Sequence, residues 1–325
     1  DYNVALGNAA MNDNVVGSYN NAMGYLSLYA GTSGNYNNAF GQYALCANTT
    51  GSNNVAIGSS TLKSNTTGPD NVAIGANALK SNTTGTYNNA MGYALCSNTT
   101  GNYNNAMGYQ AMYGNTTGCY NNAMGYGALY CNTTGKCNTS FGYQSMYYGV
   151  SGCDNFGAGY RSLHCNNGCY NTAIGYRALC VNDTGNHNVA FGCGALQSNT
   201  TGNANFAALN SALGSTTTGG CNVGIGSCAM ASNTTGTSNV GIGLKAGYLN
   251  TTGCNNTAIG QQALQNNITG SCNISLGFES LCGSLSGSNN FAVGYRSLRN
   301  NWGGCHNNGI GVNALCGNTT GDHNT

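Results

Sequence analysis

Hydrophobic and polar positions recur along this chain in a fixed order, and each copy predicts the same short elements. In NNAMGYGALYCNTTG, residues 121–135, small and larger side chains alternate through NNAMG, and an Ala-Leu pair and the polar segment NTTG follow. Alternation with a period of two is typical of a β-strand, because successive side chains point to opposite faces. NTTG favours a turn, since Asn and Thr bond to nearby backbone and Gly accepts a positive φ. The pattern predicts a strand over NNAMG, a second short strand over the next four residues, and a polar loop.

The order repeats about every 17 residues. We take the residue that closes Asn-x-Ala-x-Gly as position 1; it falls 19 times between Gly7 and Gly311, with two spacings of 16 and with Leu209 in one copy. Position 14 is Asn and position 11 is Gly in every copy, and position 17 is always apolar. One repeat suits one coil of a solenoid whose coils pair in parallel at about 4.8 Å. The sequence therefore predicts an all-β fold, a parallel β-solenoid (β-roll) of about 19 coils of 17 residues, with residues 1–325 as a single repeat domain.

The asparagine at position 14 has no substitute in any copy. Amide side chains stacked in register can bond to one another and to turn backbone, which explains such a column. We therefore expect a structural asparagine ladder. Its predicted members include Asn54, Asn71, Asn88, Asn104, Asn121, Asn171, Asn188 and Asn239.

Charge is scarce and confined to part of the repeat. Charged residues make up 5% of the chain and fall only at positions 3, 6, 7, 9, 12 and 13. Positions 6–13 and position 3 are therefore predicted to face water, and positions 14 through 2 to be shielded on both faces. A strand shielded on both faces needs a second layer, for which another copy of the chain is the simplest source. The net charge of +1 leaves no footprint for nucleic acid, and no apolar run is long enough to span a membrane.

Seventeen cysteines concentrate at positions 6–7 and 12–13, on the two shoulders of the polar loop. This arrangement predicts disulfides formed in an oxidising, extracellular setting. Because the number is odd, at least one thiol pairs between chains or stays free. No Cys-x2-Cys pair occurs and the four His are scattered, so no metal site is predicted. The disulfide candidates are Cys131 with Cys137, Cys165 with Cys169, and Cys305 with Cys316.

Asn-x-Ser/Thr sequons recur at position 8 in 12 of the repeats. We expect them on the hydrated loop, where an N-linked glycan could attach, although NTTG is also ordinary turn chemistry. The candidates are Asn48, Asn65, Asn82, Asn98, Asn115, Asn132, Asn182, Asn199, Asn233, Asn250, Asn267 and Asn318.

The segments NVAIG at 54–58 and 71–75 and NTAIG at 171–175 and 256–260 carry a family resemblance. They resemble the head repeats of YadA-like trimeric autotransporter adhesins and the related repeats of phage-type tail fibres. That resemblance implies a left-handed parallel β-roll, assembled as a homotrimer, that serves in surface attachment. The family repeat is shorter, so NTTG corresponds to an enlarged outer loop.

No catalytic constellation is apparent in the sequence. The seven acidic residues are dispersed over separate repeats, and the four His have no recurring Ser or Asp partner. We therefore predict a protein that is not an enzyme and that has no cofactor, with N-linked glycans as a possible modification. The expected role is an extracellular or cell-surface structural fibre, filament or stalk with an adhesive capacity. Its expected partners are other copies of the chain, as a homotrimer or end to end, and a surface or glycan ligand.

Two alternatives stay open at this level. Thr at positions 9 and 10 repeats along one edge, as in ice-binding β-solenoids, and Tyr at position 2 could form a stripe for carbohydrate binding. The sequence begins and stops within a repeat, which suggests a piece of a longer fibre.

Overall fold

The computed structural model describes residues 2–325, and this described part contains β-strands and turns but no helix. No helix that could span a membrane is therefore found in it. The chain divides into two compact units, Asp1–Ala158 and Gly159–Thr325. The single repeat domain expected from the sequence stays a prediction.

Every strand has three residues and occupies positions 15–17 of the repeat. The strands of the first unit are β1 Val4–Leu6, β2 Asn21–Met23, β3 Asn38–Phe40, β4 Val55–Ile57, β5 Val72–Ile74, β6 Asn89–Met91, β7 Asn105–Met107, β8 Asn122–Met124, β9 Thr139–Phe141 and β10 Phe156–Ala158. Those of the second unit are β11 Thr172–Ile174, β12 Val189–Phe191, β13 Phe206–Ala208, β14 Val223–Ile225, β15 Val240–Ile242, β16 Thr257–Ile259, β17 Ile274–Leu276, β18 Phe291–Val293 and β19 Asn308–Ile310.

Within each unit, successive strands pair in parallel and in repeat register. Val55 lies beside Val72 in the first unit, and Val189 lies beside Phe206 in the second. A residue therefore meets the residue at the same position of the next repeat. The predicted parallel β-solenoid with a repeat of about 17 residues is confirmed.

The second predicted strand, over positions 2–5, is absent. Residues 126–129 form turns, in which Gly127 and Leu129 have positive φ angles of 61° and 53°. Alternating left- and right-handed residues curl the backbone but still send N–H groups to neighbouring coils: Leu129 donates to Ser145 O at 3.0 Å. A period of two in the sequence therefore does not separate an extended strand from this alternating curl.

The glycine at position 1 lets successive coils approach closely. Gly125 has a φ of 133°, and a Cβ at this residue would lie 2.5 Å from the carbonyl oxygen of Gly142 in the next coil. A φ in this range and a contact this short both favour glycine. These glycines therefore permit close spacing where their strands end, whereas Leu209 takes this position after β13 with a φ of 83°.

The core of each coil is small and mixed in polarity. Ala73, Ala78 and Leu79 at positions 16, 4 and 5 are fully buried, and the second unit buries Ala190 and Leu196 at equivalent positions. Buried asparagines at positions 8 and 14 complete the interior.

Two predictions of exposure are wrong. Positions 17 and 2 were expected to be shielded, yet Met124 is 49% and Tyr126 is 43% exposed. Positions 8 and 11 were expected to face water, yet Asn132 and Gly135 are buried. Position 17 is exposed because one strand layer has one inner face, to which position 16 points while its neighbours point outward. Positions 8 and 11 are buried together, with Asn132 Nδ2 donating to Gly135 O at 3.2 Å.

Candidate functional surface

The asparagine ladder at position 14 joins each coil to both of its neighbours. The side-chain Oδ1 of Asn54 accepts hydrogen bonds from the backbone N and the Nδ2 of Asn71, at 3.0 and 3.2 Å. Asn71 Nδ2 also donates to Gly85 O in the following coil, at 2.9 Å. Only a primary amide supplies an acceptor and two donors in so little space. All eight ladder residues predicted from sequence are fully buried in this column, and they are Asn54, Asn71, Asn88, Asn104, Asn121, Asn171, Asn188 and Asn239.

A second asparagine ladder, which was not predicted from the sequence, occupies position 8. Asn65 Nδ2 donates to Asn48 Oδ1 at 2.8 Å and to Gly68 O at 2.9 Å. The available signal was the frequency of Asn at this position, in 15 of 19 repeats. NTT fits a turn and a sequon as well as it fits a ladder, so this frequency alone does not predict one.

The position-8 ladder contains the glycosylation candidates, and their expected exposure is wrong. The Nδ2 atom that would carry a glycan is engaged inside the solenoid: Asn65 uses both of its hydrogens, whereas Asn48 and Asn233 each use one. A glycan at such a residue would therefore require this part of the coil to open. Only Asn318 is partly exposed. The other eleven candidates are no more than 2% exposed, and they are Asn48, Asn65, Asn82, Asn98, Asn115, Asn132, Asn182, Asn199, Asn233, Asn250 and Asn267.

Position 12 forms a third column, in which the side chain accepts a hydrogen bond from the backbone of the preceding coil. Thr86 N donates to Asn102 Oδ1 at 2.7 Å, and Asn102 N donates to Cys119 Sγ at 3.4 Å. The sulfur therefore takes the place of an amide or hydroxyl oxygen. Equivalent bonds reach Cys254 and Cys305 from Thr237 and Ser288.

The cysteines proposed for disulfides lie where the sequence placed them, on the shoulders of the loop. Cys131, Cys137, Cys165, Cys305 and Cys316 carry free thiols, and Cys169 donates its backbone N–H to Asn186 Oδ1 at 2.7 Å. The three pairings stay predictions.

Burial raises the thiol pKa at several of these shoulder positions. It raises the pKa of Cys131 and of Cys165, with the charges of Cys180 and Asp183 adding to the effect on Cys165. Burial also raises the pKa of Cys96 to about 11, opposed by a hydrogen bond with Tyr93 and by the charge of Lys80. Because the thiolate is the reactive form, these thiols are weak nucleophiles near neutral pH.

Aromatic side chains form stacked rows at positions 13, 2 and 6, which we call the tyrosine rows. At position 13, Tyr103 stacks on Tyr87 and on Tyr120 with ring centroids 4.9 Å apart in each pair. The rings cover each other's faces, so stacking of sugars on those faces is blocked within a row. The position-2 row contains Tyr93, Tyr109, Tyr126 and Tyr143, and the position-6 row contains Tyr113, Tyr130 and Tyr147.

Hydrogen bonding and charge raise phenol pKa values in these rows. A hydrogen bond with Tyr113 is the main cause that raises the pKa of Tyr93 to about 12. The negative charge of Asp70 raises the pKa of Tyr87. Both phenols therefore stay protonated well above neutral pH.

The outer face of the strands is uncharged and half-exposed. It consists of positions 15, 17 and 2, at which no charged residue occurs. Between β7 and β9 this face forms a shallow groove of about 280 Å³, lined mainly by Met107, Met124, Phe141 and the amides of Asn105 and Asn122. Asn105 Nδ2 donates to Asn122 Oδ1 at 2.8 Å, so these amides already satisfy one another along the face.

The second unit contains a cluster of ion pairs, in which one glutamate contacts two arginines. Glu279 Oε2 pairs with the Nε of Arg296 at 2.9 Å and of Arg299 at 2.8 Å. Within residues 2–325, no group of three or more His, Cys, Asp or Glu side chains could hold a metal ion. No catalytic residue or metal ligand was predicted from the sequence.

These features define the class as a tandem-repeat parallel β-solenoid stabilised by side-chain amide ladders. No protein-family model matches the chain, and the search of curated proteins finds no match. The resemblance to YadA-like head repeats and to tail-fibre repeats therefore stays a prediction from short motifs.

Proposed function

We propose that this protein is a non-enzymatic structural element of an extracellular or cell-surface fibre, filament or stalk, with adhesion as a further role. The observation that carries the proposal is the way in which each coil is bonded to the next. Backbone bonds and the buried position-14 amide ladder link neighbouring coils along each unit, and the position-8 ladder adds further bonds where consecutive repeats carry Asn. Each such bond contributes on the order of 1 kcal/mol. A chain built this way resists local opening, and resistance to opening is what a fibre under tension needs.

Self-association is the second part of the proposal, and its surface is the uncharged outer face. Burying a half-exposed Ile, Met or Tyr on this face contributes roughly 1 kcal/mol, and every repeat offers at least one apolar side chain there. Charged residues stay at other positions of the repeat, so the face carries no electrostatic barrier to a second copy. A left-handed coil and a homotrimer follow from the family resemblance. No cofactor is required for this role.

Analytical ultracentrifugation of the purified chain tests the assembly. Met107→Glu combined with Met124→Glu places two charges on the outer face and should shift a trimer towards monomer. Thr117→Glu combined with Thr134→Glu places the same charges on exposed loop positions and should leave the assembly unchanged. A monomeric wild-type chain, or equal effects of the two pairs, would count against assembly through this face.

Ice binding is the alternative that one observation favours. Thr117 and Thr134 at position 10 are exposed in successive coils, at the spacing of paired strands. The neighbouring Thr at position 9 is committed internally: Thr116 Oγ1 donates to Thr133 O at 3.1 Å. Of the two threonine rows, the one at position 10 therefore remains available to bind ice. Thermal hysteresis in the wild type, and its loss in Thr117→Leu with Thr134→Leu, would favour ice binding over the stalk.

A further inference from the structure

The tyrosine rows place phenol rings of successive coils face to face. In the position-13 row, Tyr87, Tyr103 and Tyr120 have centroids 4.9 Å apart and interplanar angles of 5° and 4°. The three side chains are between 44% and 56% exposed, so their ring edges meet solvent and any oxidant in it. The row thus combines contact between like rings with access from outside.

Another pair of tyrosines in the same unit has its rings in a different orientation. Tyr25 and Tyr43 also belong to neighbouring coils, with centroids 5.5 Å apart, but their planes meet at 79°. Lys63 Nζ lies 4.8 Å from the centroid of the Tyr43 ring and opposes loss of an electron from it. The distance between ring centroids is therefore similar in the perpendicular pair and in the position-13 row, whereas the angle between the rings and the neighbouring charge differ.

We propose that the position-13 tyrosine row is a site of oxidative cross-linking, in which neighbouring rings join as dityrosine and fasten one coil covalently to the next. A peroxidase with hydrogen peroxide is the class of oxidant required. Each of two phenols loses one electron and one proton, and the resulting phenoxyl radicals couple through a bond between their ortho carbons. The two ring hydrogens at those carbons then return to the phenol oxygens as the rings regain aromaticity. Overall, two tyrosines and one hydrogen peroxide give one dityrosine and two waters.

Alignment favours this coupling because the fold holds the reacting rings together before oxidation. Positioned groups react as though at a very high local concentration. Parallel rings need only tilt about their side-chain torsions to bring ortho carbons together, and half-exposed rings have room to tilt. The perpendicular Tyr25–Tyr43 pair must reorient one ring fully. The cross-link joins residues of one chain, so it does not depend on the proposed self-association.

The test treats a dilute solution of the 325-residue chain with a haem peroxidase and limiting hydrogen peroxide. Dityrosine fluorescence reports the yield, and mass spectrometry of proteolytic fragments locates the bond as a loss of two hydrogens per cross-link. We expect cross-links from Tyr103 to Tyr87 or Tyr120 within one chain. Tyr103→Phe keeps a stacked ring but has no phenol, and it should lose both products. Tyr25→Phe is the matched control and should leave the position-13 products unchanged.

Three results would overturn the proposal. They are absence of dityrosine, cross-links only between chains, and a Tyr25–Tyr43 product as abundant as Tyr103–Tyr120. Mapping the wild type answers the question even if a variant folds poorly. In guanidinium, where the coils are unfolded, the preference for position-13 pairs should disappear.

Discussion

Asn98 Nδ2 donates to Asn82 Oδ1 at 2.7 Å although the two residues are 16 rather than 17 apart in the chain. The missing residue belongs to position 3, in the turn after Gly92, whose φ is 88° instead of the 125° of Gly75. A Cβ on Gly92 would lie 3.5 Å from its nearest neighbour in the next coil, so the close approach seen at other position-1 glycines is relaxed there. The turn therefore absorbs the deletion, and the amide ladders keep their register.

Removing one amide from the position-14 ladder should destabilise its coils. Asn121→Ala leaves the backbone N of Asn138 without its acceptor, now 3.0 Å away, and removes one of the two amides that donate to the buried Gly135 O, the other being Asn132. Each unsatisfied buried group costs about 1–3 kcal/mol, so the melting temperature should fall by several degrees. Calorimetry measures this, with the exposed Thr134→Ala as control. An unchanged melting temperature would refute a stabilising ladder.

Position-8 sequons should stay unmodified in the folded protein. Asn98 is fully buried and uses both Nδ2 hydrogens, so expression through a eukaryotic secretory pathway should leave its peptide free of glycan. Glycopeptide mapping before and after glycosidase treatment checks this, with the partly exposed Asn318 as the internal comparison. Full occupancy at Asn98 in a chain with native melting behaviour would contradict the buried ladder.

Gly125 at position 1 should not accept a side chain, although Leu209 takes the equivalent position in another repeat with a smaller φ of 83°. Gly125→Ala combines a φ of 133° with a Cβ placed 2.5 Å from Gly142 O, and we expect a loss of stability greater than about 1 kcal/mol. At Gly317 a Cβ would meet nothing within 4 Å, so Gly317→Ala is the matched control. Urea denaturation compares the two variants. Equal midpoints would show that the coils can separate at position 1 without loss.

Cysteine at position 12 should be replaceable by serine but not by alanine. Cys119→Ser keeps an acceptor for the backbone N–H of Asn102, whereas Cys119→Ala removes it, with an expected difference of about 1 kcal/mol. Thermal melting with and without a reducing agent measures both effects. A wild-type melting temperature that falls on reduction would instead favour the predicted disulfides.

Stability should decline in alkali partly because of Cys96. Burial raises the pKa of this thiol from 9.0 to about 11, so folding favours its protonated form. The contribution is fully present below pH 9 and is lost as the pH rises through about 11. Urea midpoints across this range should fall less steeply in Cys96→Ala than in the wild type. Parallel slopes would show that the thiol is not protected in the folded state.

Repetition made the solenoid and the ladder at position 14 predictable, because a column without substitutes implies contact between equivalent residues. The repeated sequence does not predict the ladder at position 8. Asn115 is followed by two threonines, and that segment suits a turn, a sequon and a buried amide equally well. Only the bond from Asn115 Nδ2 to Asn98 Oδ1 distinguishes them.

The prediction of a second strand at positions 2–5 is wrong for a related reason. Leu129 points inward in a left-handed conformation that most non-glycine residues avoid, and it is 2% exposed. Packing in the coil overrides that local preference. No periodicity in the sequence records the sign of φ, so the sequence pattern does not predict this feature.

In-register stacking has an evolutionary consequence. Because Asn71 donates to Asn54 in the same way as Asn88 donates to Asn71, excision of one complete repeat would join chemically matching edges, and duplication of one would create another matching pair. Unequal recombination within the gene could thus lengthen or shorten the protein in whole steps without any compensating substitution.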